Sequence, residues 1–328
     1  MKLGLLTCMF GDRSLADTLA LVAPKGINAV ELGSGGVVGT AHCDPDVLLA
    51  DSKALEAFKD TFKPYDITIS ALSCHENQVH PDKDLAKEFN RQLRQNILLA
   101  EKLGVGVVNN FSGCPGEPGG KYPNWIVQPW PDDFERLYEW QWNEVLIPFW
   151  TEMAQFAYDH GVKLALEMHA GFSVYNPETV LKLKNAVGIP SLGCNFDPSN
   201  IVWQDIDVPT AIRELKDCIF HFHAKDSIEV RHNIAKNGRL DAKNYSKYKA
   251  DRQWLFRTVG YGHDEFYWKQ IMSTLADVGY DYVVSIEHED TYMTQDEGLD
   301  KAIAFLKNVM IFEKAQGLWW ANVDQRNQ

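Results

Sequence analysis

The sequence predicts a single (β/α)8 barrel, and three observations predict it. Short runs that are nearly continuously apolar alternate eight times with longer segments whose apolar residues recur every three or four positions. Unbroken apolarity suits parallel strands that helices cover on one face and that pack together on the other. Four of the later runs end in acid or histidine clusters, and the carboxyl ends of the strands are where such barrels carry chemistry. A doubly wound open sheet is the competing architecture. It is weakened because no GxGxxG turn follows an early strand.

The elements follow in order. The first strand is expected at 2–7; its apolar run is short, broken by Gly4 and without a small-residue cleavage site, so it reads as a strand and not as a signal peptide. An amphipathic helix follows at 14–25, then a strand at 29–32 and a helix at 45–63. The strand at 68–74 precedes a helix at 85–103 that Gly104 stops, and the strand at 105–111 precedes one at 140–160 that Gly161 closes. The remaining strand and helix pairs are 164–168 with 177–186, 192–196 with 208–217, 219–223 with 266–278, and 282–287 with 299–310. With no repeat beyond this alternation and no linker, residues 1–328 read as one domain. An extension at about 311–328 carries Trp319 and Trp320, too apolar for a free tail and expected to pack on the barrel or on a partner subunit.

Two connections are longer than barrel loops usually are, after strand four (113–139) and after strand seven (227–264). The first holds Tyr122, Trp125 and Trp130 among prolines and glycines, and the second holds Arg231, His232, Arg252, Arg257 and His263. Both leave the carboxyl end of a strand, so both are expected to overhang the site and touch substrate.

Composition narrows the function. Thirty-two basic and forty-five acidic residues give a net charge of −13, which disfavours nucleic acid or an anionic membrane as partner. No apolar stretch is long enough to cross a bilayer. The six cysteines show no CxxC spacing, which fits a reduced, cytoplasmic protein.

The strand-end clusters are Leu164-Ala-Leu-Glu-Met-His169, Leu192-Gly-Cys-Asn-Phe-Asp197, Ile219-Phe-His-Phe-His223 and Val283-Val-Ser-Ile-Glu287. Side chains two apart share a face of a strand, so Glu167 and His169 both turn to the barrel mouth, as do Asn195 and Asp197, His221 and His223, and Glu287 and Glu289. Any one of these residues could be an ordinary buried polar group. Four at one end of consecutive strands make Glu167, Asp197, His223 and Glu287 candidate ligands of one divalent metal ion. Oxygen-rich donors with one imidazole suit Mn2+ first, with Mg2+, Co2+ or Zn2+ as alternatives. Glu167 and Glu287 on opposite sides of the ion would form an acid/base pair. One would take a proton from a keto sugar and the other return it, while the metal stabilises the enediolate.

The chain resembles the xylose isomerase-like TIM barrel superfamily, in particular its sugar phosphate isomerase/epimerase or D-tagatose 3-epimerase-like branch. The resemblance rests on Leu166-Glu-Met-His169, Asn195-Phe-Asp-Pro-Ser199, Phe220-His-Phe-His-Ala-Lys-Asp226 and Ser285-Ile-Glu-His-Glu-Asp290. Asn110-Phe-Ser-Gly-Cys-Pro-Gly116 and Arg257-Thr-Val-Gly-Tyr-Gly-His263 look like marks of a subgroup. It implies a metal-dependent isomerase or epimerase of a keto sugar or related polyol, with the four ligands and the glutamate pair just described. Epimerases of this branch commonly place a histidine three residues after the aspartate, where this chain has Asn200, which can bond a hydroxyl but not share its proton near neutral pH. The resemblance also admits lyases, either an inosose-type dehydratase or a 3-keto-C-glycoside deglycosidase in which His169 is the base. The latter would bring a small partner subunit.

Further candidates for substrate contact are His75 with Glu76, Asn109 with Asn110, Asn200, Lys225, Arg257 and His263. For Lys225 the plain alternative is an ion pair with the adjacent Asp226, and for Arg257 and His263 it is solvated loop charge. The partner is then a small sugar, with a homo-oligomer expected and neither nucleic acid nor membrane. An abasic-site endonuclease and a non-catalytic sugar-binding protein complete the field; the acidic balance and single-metal set argue against the first.

Overall fold

A computed structural model describes residues 1–245 and 247–314; Trp319 and Trp320 lie outside them. The strands are β1 (Lys2–Leu6), β2 (Ala29–Gly36), β3 (Thr68–His75), β4 (Val107–Phe111), β5 (Lys163–Glu167), β6 (Leu192–Phe196), β7 (Ile219–Ala224), a hairpin of β8 (Asp226–Glu229) and β9 (Trp254–Arg257), and β10 (Val283–Ile286). Eight of them close a parallel barrel in the order β1-β10-β7-β6-β5-β4-β3-β2. The seam pairs Leu3 with Val284 and Leu5 with Ile286 on one side, and Leu5 with Val30 on the other.

Alternation along each strand sorts the residues by face. Val30, Leu32, Leu72, Val108, Leu164, Leu166 and Val284 pack into the main core, together with helix residues such as Leu93, Ile97, Trp150 and Met153. Their neighbours turn inward. Ala71, Val107 and Ala165 form a small apolar cluster with Phe220 and Tyr282 at the amino-terminal end of the barrel. Gly193 belongs to this level, where a Cβ would collide with the Phe220 ring. Toward the carboxyl ends the inward positions become Glu31, Ser73, Asn109, Glu167, Asn195, His223 and Ser285, all buried. The barrel is thus apolar at its base and polar at its mouth.

Helix starts are fixed by side-chain caps. Ser14, Asp82, Asp207, Asp264 and Thr294 each accept from a backbone N–H of the first turn, and Asn176 forms a capping box with Thr179. Two helices differ from the sequence reading. Residues 45–63 split into Pro45–Ala50 and Ser52–Asp60, because Asp51 is extended and caps the second helix through Lys53 N. The helix expected at 140–160 starts earlier, with Asp132–Trp140, and reaches Ile147–Asp159 through a π-helical turn at Gln141–Leu146. Pro148 explains the turn, since it has no N–H for the preceding turn and its ring crowds the carbonyl there.

The connection after β7 is structured. Its hairpin pairs Ser227 with Phe256 and Glu229 with Trp254, and it carries a helix at Arg231–Asn237. Trp254 stacks on Trp203 with centroids 5.1 Å apart. The segment is closed by one buried carboxylate: Asp226 accepts from the backbone N–H groups of Gly260, Gly262 and His263 at 3.0–3.1 Å and from the Trp268 indole at 3.2 Å. No helix among the described residues is long and apolar enough to cross a membrane.

Candidate metal centre

The inward residues at the strand ends converge. Donor atoms of Glu167 (end of β5), Asp197 (just after β6), His223 (β7) and Glu287 (just after β10) all lie within 4.8 Å of one another. All but Glu287 are buried, and its side chain is only 15 % exposed. The imidazole has a defined orientation. His223 Nε2 lies 2.9 Å and 3.1 Å from the two carboxylate oxygens of Glu31, while Nδ1 faces Glu287 Oε2 at 2.8 Å and Glu167 Oε2 at 3.5 Å. A carboxylate that takes the proton of one ring nitrogen fixes the tautomer and leaves the other nitrogen as donor, the usual arrangement behind a metal-bound histidine.

Glu31 was not among the residues the sequence singled out. Fully buried on β2, it accepts from Asn109 Nδ2 at 2.7 Å, from Ser285 Oγ at 2.9 Å and from Ser73 Oγ, besides His223. The available signal was a lone glutamate inside the apolar run Ala29-Val-Glu-Leu32 at an inward position.

The remaining contacts hold the carboxylates in place. Asn200 Nδ2 donates to Glu167 Oε1 and to Asp197 Oδ2, both at 2.9 Å, and Ser199 N donates to Asp197 Oδ1 at 2.8 Å. His75 Nε2 sits 3.0 Å from Glu167 Oε2. Lys225 Nζ, fully buried, lies 3.1 Å from Asp197 Oδ2 and 2.9 Å from both Glu287 Oε2 and Glu289 Oε2. Glu287 Oε2 touches two cationic groups, yet neither contact is angled as a hydrogen bond. A buried carboxylate oxygen left unsatisfied is anomalous in itself. Together with the three-carboxylate, one-imidazole donor set, it fits a divalent cation.

Charge state follows from crowding. Burial pushes the Asp197 carboxyl up to about 7 against the pull of Lys225, and Glu167 and Glu287 add to the rise. Burial and Glu287 also act to raise Glu167, but the His75 hydrogen bond, His223 and Lys225 bring it below the ordinary carboxylate range. Glu287 is lowered too: burial opposes this, and Lys225 and His223 outweigh it. Burial would strip His223 of its proton, but Glu31 and Glu287 reverse that and raise it well above the usual imidazole value. His221, one layer deeper, is driven down to about 4 by burial.

A cavity of about 330 Å³ opens on this cluster, lined by His75, Glu167, His169, Lys225, Glu287 and Glu289, with Leu6, Met9, Val37, Val38 and Phe111 supplying the apolar wall. His169 stands at its edge, its ring 5.0 Å from Phe111 and its Nδ1 tied to the Ala170 carbonyl at 2.7 Å. A larger groove of about 750 Å³ runs on the outside between Gln78–Lys83 and Pro115–Lys121, away from these acids.

Several expected substrate contacts are placed elsewhere. Asn109 is turned to Glu31, and Asn200 to the carboxylates beneath the cavity. Lys225 does not pair with Asp226, because neighbouring residues on a strand point to opposite sides. Arg257 is bound by Asp290 at 3.0 Å, and His263 by Asp226 at 2.7 Å, where it stacks on Tyr267; neither lines the cavity. Nor does any residue of 113–139 line it. Gln141 gathers that segment onto its own helix by donating to the carbonyls of Pro115, Gly116 and Asn124, and Tyr122 and Trp130 are left exposed. Of the two long connections, only the one after β7 reaches the cluster, with the Phe256 ring 4.4 Å from Lys225 Nζ.

Comparison with known proteins agrees with the barrel fold. A family profile described as xylose isomerase-like TIM barrel matches residues 19–309. An uncharacterized protein of Bacillus subtilis strain 168, YfiH, is 36% identical over 314 residues, covering 94% of this chain and 99% of its own. The probable 3-DHS dehydratase AsbF of Bacillus anthracis superposes with a TM-score of 0.65 at 17% identity, over 94% of this chain and 99% of that one. D-psicose 3-epimerase of Clostridium cellulolyticum H10, solved with D-tagatose, gives 0.61 at 17% identity, over 94% and 98%.

Proposed function

The chain belongs to the xylose isomerase-like TIM barrel family, and we propose that within it the protein is a divalent-metal-dependent isomerase or epimerase of a keto sugar or related polyol. One observation carries the reading: three carboxylates and one oriented imidazole have donor atoms within 4.8 Å of each other at the floor of the cavity. A divalent ion there, manganese in our reading, would draw electron density from substrate oxygens and make the adjacent C–H more acidic.

The chain's own residues do the rest. Glu167 and Glu287 are both held ionised, so one takes the substrate proton, and the other returns to the opposite side of the reacting carbon a proton that it has picked up from solvent. His75 fixes the rotamer of Glu167 through its Oε2, and Asn200 does so through Oε1. Phe111, stacked on Phe172 at 4.2 Å, offers a flat apolar wall against which a sugar carbon skeleton can lie.

A second reading, a lyase acting on the same carbonyl chemistry, is favoured by one observation. His169 lines the cavity with Nδ1 occupied, and its Nε2 has no protein partner among the described residues. That nitrogen is available as a base. The likeness to a probable dehydratase of the same fold accords with it.

The test is to strip the protein with chelator, reload it with Mn2+ and screen ketoses, polyols and 3-keto-glycosides in heavy water, with mass analysis of the products. Isomerisation or epimerisation gives products of substrate composition with solvent deuterium at carbon; loss of water or aglycone selects the lyase. Glu167→Gln should cut turnover by about a thousandfold or more, as expected for removing a group that moves the proton. Unchanged turnover in that variant would remove Glu167 from the chemistry.

A further inference from the structure

Lys225 is an anomaly within the cluster. A lysine side chain is rarely buried without pairing, and this one is 1 % exposed. It is inserted among carboxylates, two of which, Asp197 and Glu287, belong to the candidate ligand set. The particular atoms matter. Asp197 Oδ1 accepts from Ser199 N, and Oδ2 meets both Asn200 Nδ2 and Lys225, so the ammonium completes the contacts of Oδ2. At Glu287 the ammonium and the imidazole crowd the same Oε2 without hydrogen-bond alignment. The third partner, Glu289, is of another kind: its side chain is 48 % exposed, it lines the cavity, and it stands outside the candidate ligand set. The Phe256 ring steadies the ammonium from the roof at 4.4 Å.

An ammonium and a divalent ion on the same carboxylate oxygens repel each other strongly in a dry site, where water does not screen them. We propose that Lys225 is a built-in counter-cation that competes with the divalent ion for Asp197 and Glu287, with Glu289 as the partner it keeps when the ion is bound. Without the ion, the lysine neutralises carboxylates that would otherwise repel one another. With the ion, it yields them and remains at the cavity wall beside Glu289. The arrangement sets metal affinity below what the four ligands alone would give.

This inference rests on the metal reading above, and the experiment separates the two. Chelator-stripped wild type and Lys225→Met are titrated calorimetrically with MnCl2 at one pH, and melting is followed with and without the ion. Lys225→Met should bind Mn2+ at least tenfold more tightly, melt lower than wild type when stripped, and gain more on adding the ion. A lysine serving only as structural filler would give the opposite sign, because its loss would loosen the ligands. Glu289→Gln, which leaves every ligand in place, provides a second arm: deprived of its other partner, Lys225 should hold Asp197 and Glu287 harder and weaken Mn2+ binding at least threefold. Equal or weaker binding by Lys225→Met overturns the proposal. Should that variant fail to fold, unchanged affinity in Glu289→Gln overturns it. If wild type itself takes up no Mn2+, the metal reading fails instead.

Discussion

Glu31 shows what a single side chain does for this site. It accepts from His223 Nε2 and also gathers Asn109, Ser73 and Ser285, from three further strands. Glu31→Gln should therefore weaken metal binding by about 10- to 100-fold, the usual cost of losing a partner behind a metal-bound histidine, while Glu167 and Asp197 stay in place. Titration calorimetry measures it, and an unchanged affinity would show that the ring needs no such support. Protons should oppose the ion as well. With no ion bound, His223, raised well above its ordinary value, carries a proton, and Asp197, pushed up to about 7, gains one as the pH falls below neutrality; both must be shed to bind. Affinity should rise with pH and fall below neutrality by about tenfold per pH unit for each proton released. Titrations from about pH 6 to about pH 8, repeated in buffers of different ionisation enthalpy, count those protons; a flat profile contradicts the assignment. The four candidate ligands were legible in the sequence because each follows a strand's apolar run at an inward position. Glu31 was not, because its importance comes from residues on other strands that only barrel closure brings to it.

At the scale of elements, the sequence showed the barrel strands clearly, since burial on both faces leaves an unbroken apolar signature. It was weaker where local chemistry overrode periodicity. Asp51 breaks one helix because its side chain is a better cap than a helix interior residue. The expected range 140–160 starts the helix too late, because a π turn carries it on unbroken from Asp132 past Pro148. The hairpin after β7 was read as loop, because four-residue strands among charged residues carry little pattern. Its closure depends on Gly262, where a Cβ would collide with the Ser227 carbonyl and the Asp226 carboxylate. Gly262→Ala should lower stability by about 1–3 kcal/mol, as overpacking does. Amide exchange should speed up across residues 226–263 while the strands of the barrel keep their protection. Uniform exchange in variant and wild type would mean that the clamp on Asp226 tolerates the extra carbon.

For the whole molecule, an ion that binds only the folded chain is a stabiliser. At a hundred times its dissociation constant it should add about 2.7 kcal/mol to folding, read as a rise in melting temperature that chelator reverses. Asp197→Asn should lose most of that rise. The base of the barrel, its polar layer and the four ligands are built from strands scattered along the chain, whereas the roof over Lys225 comes from one contiguous stretch closed by Asp226. The two therefore differ in what a substitution disturbs. A change in a strand disturbs registers all around the barrel, but the segment from β8 to Gly262 meets the rest of the chain through separate side-chain contacts, among them Trp254 on Trp203, Arg257 with Asp290 and Phe256 on Lys225. Floor and cover can thus be altered separately, and a chimera that carries a relative's segment together with its matching contact residues is the direct way to test it.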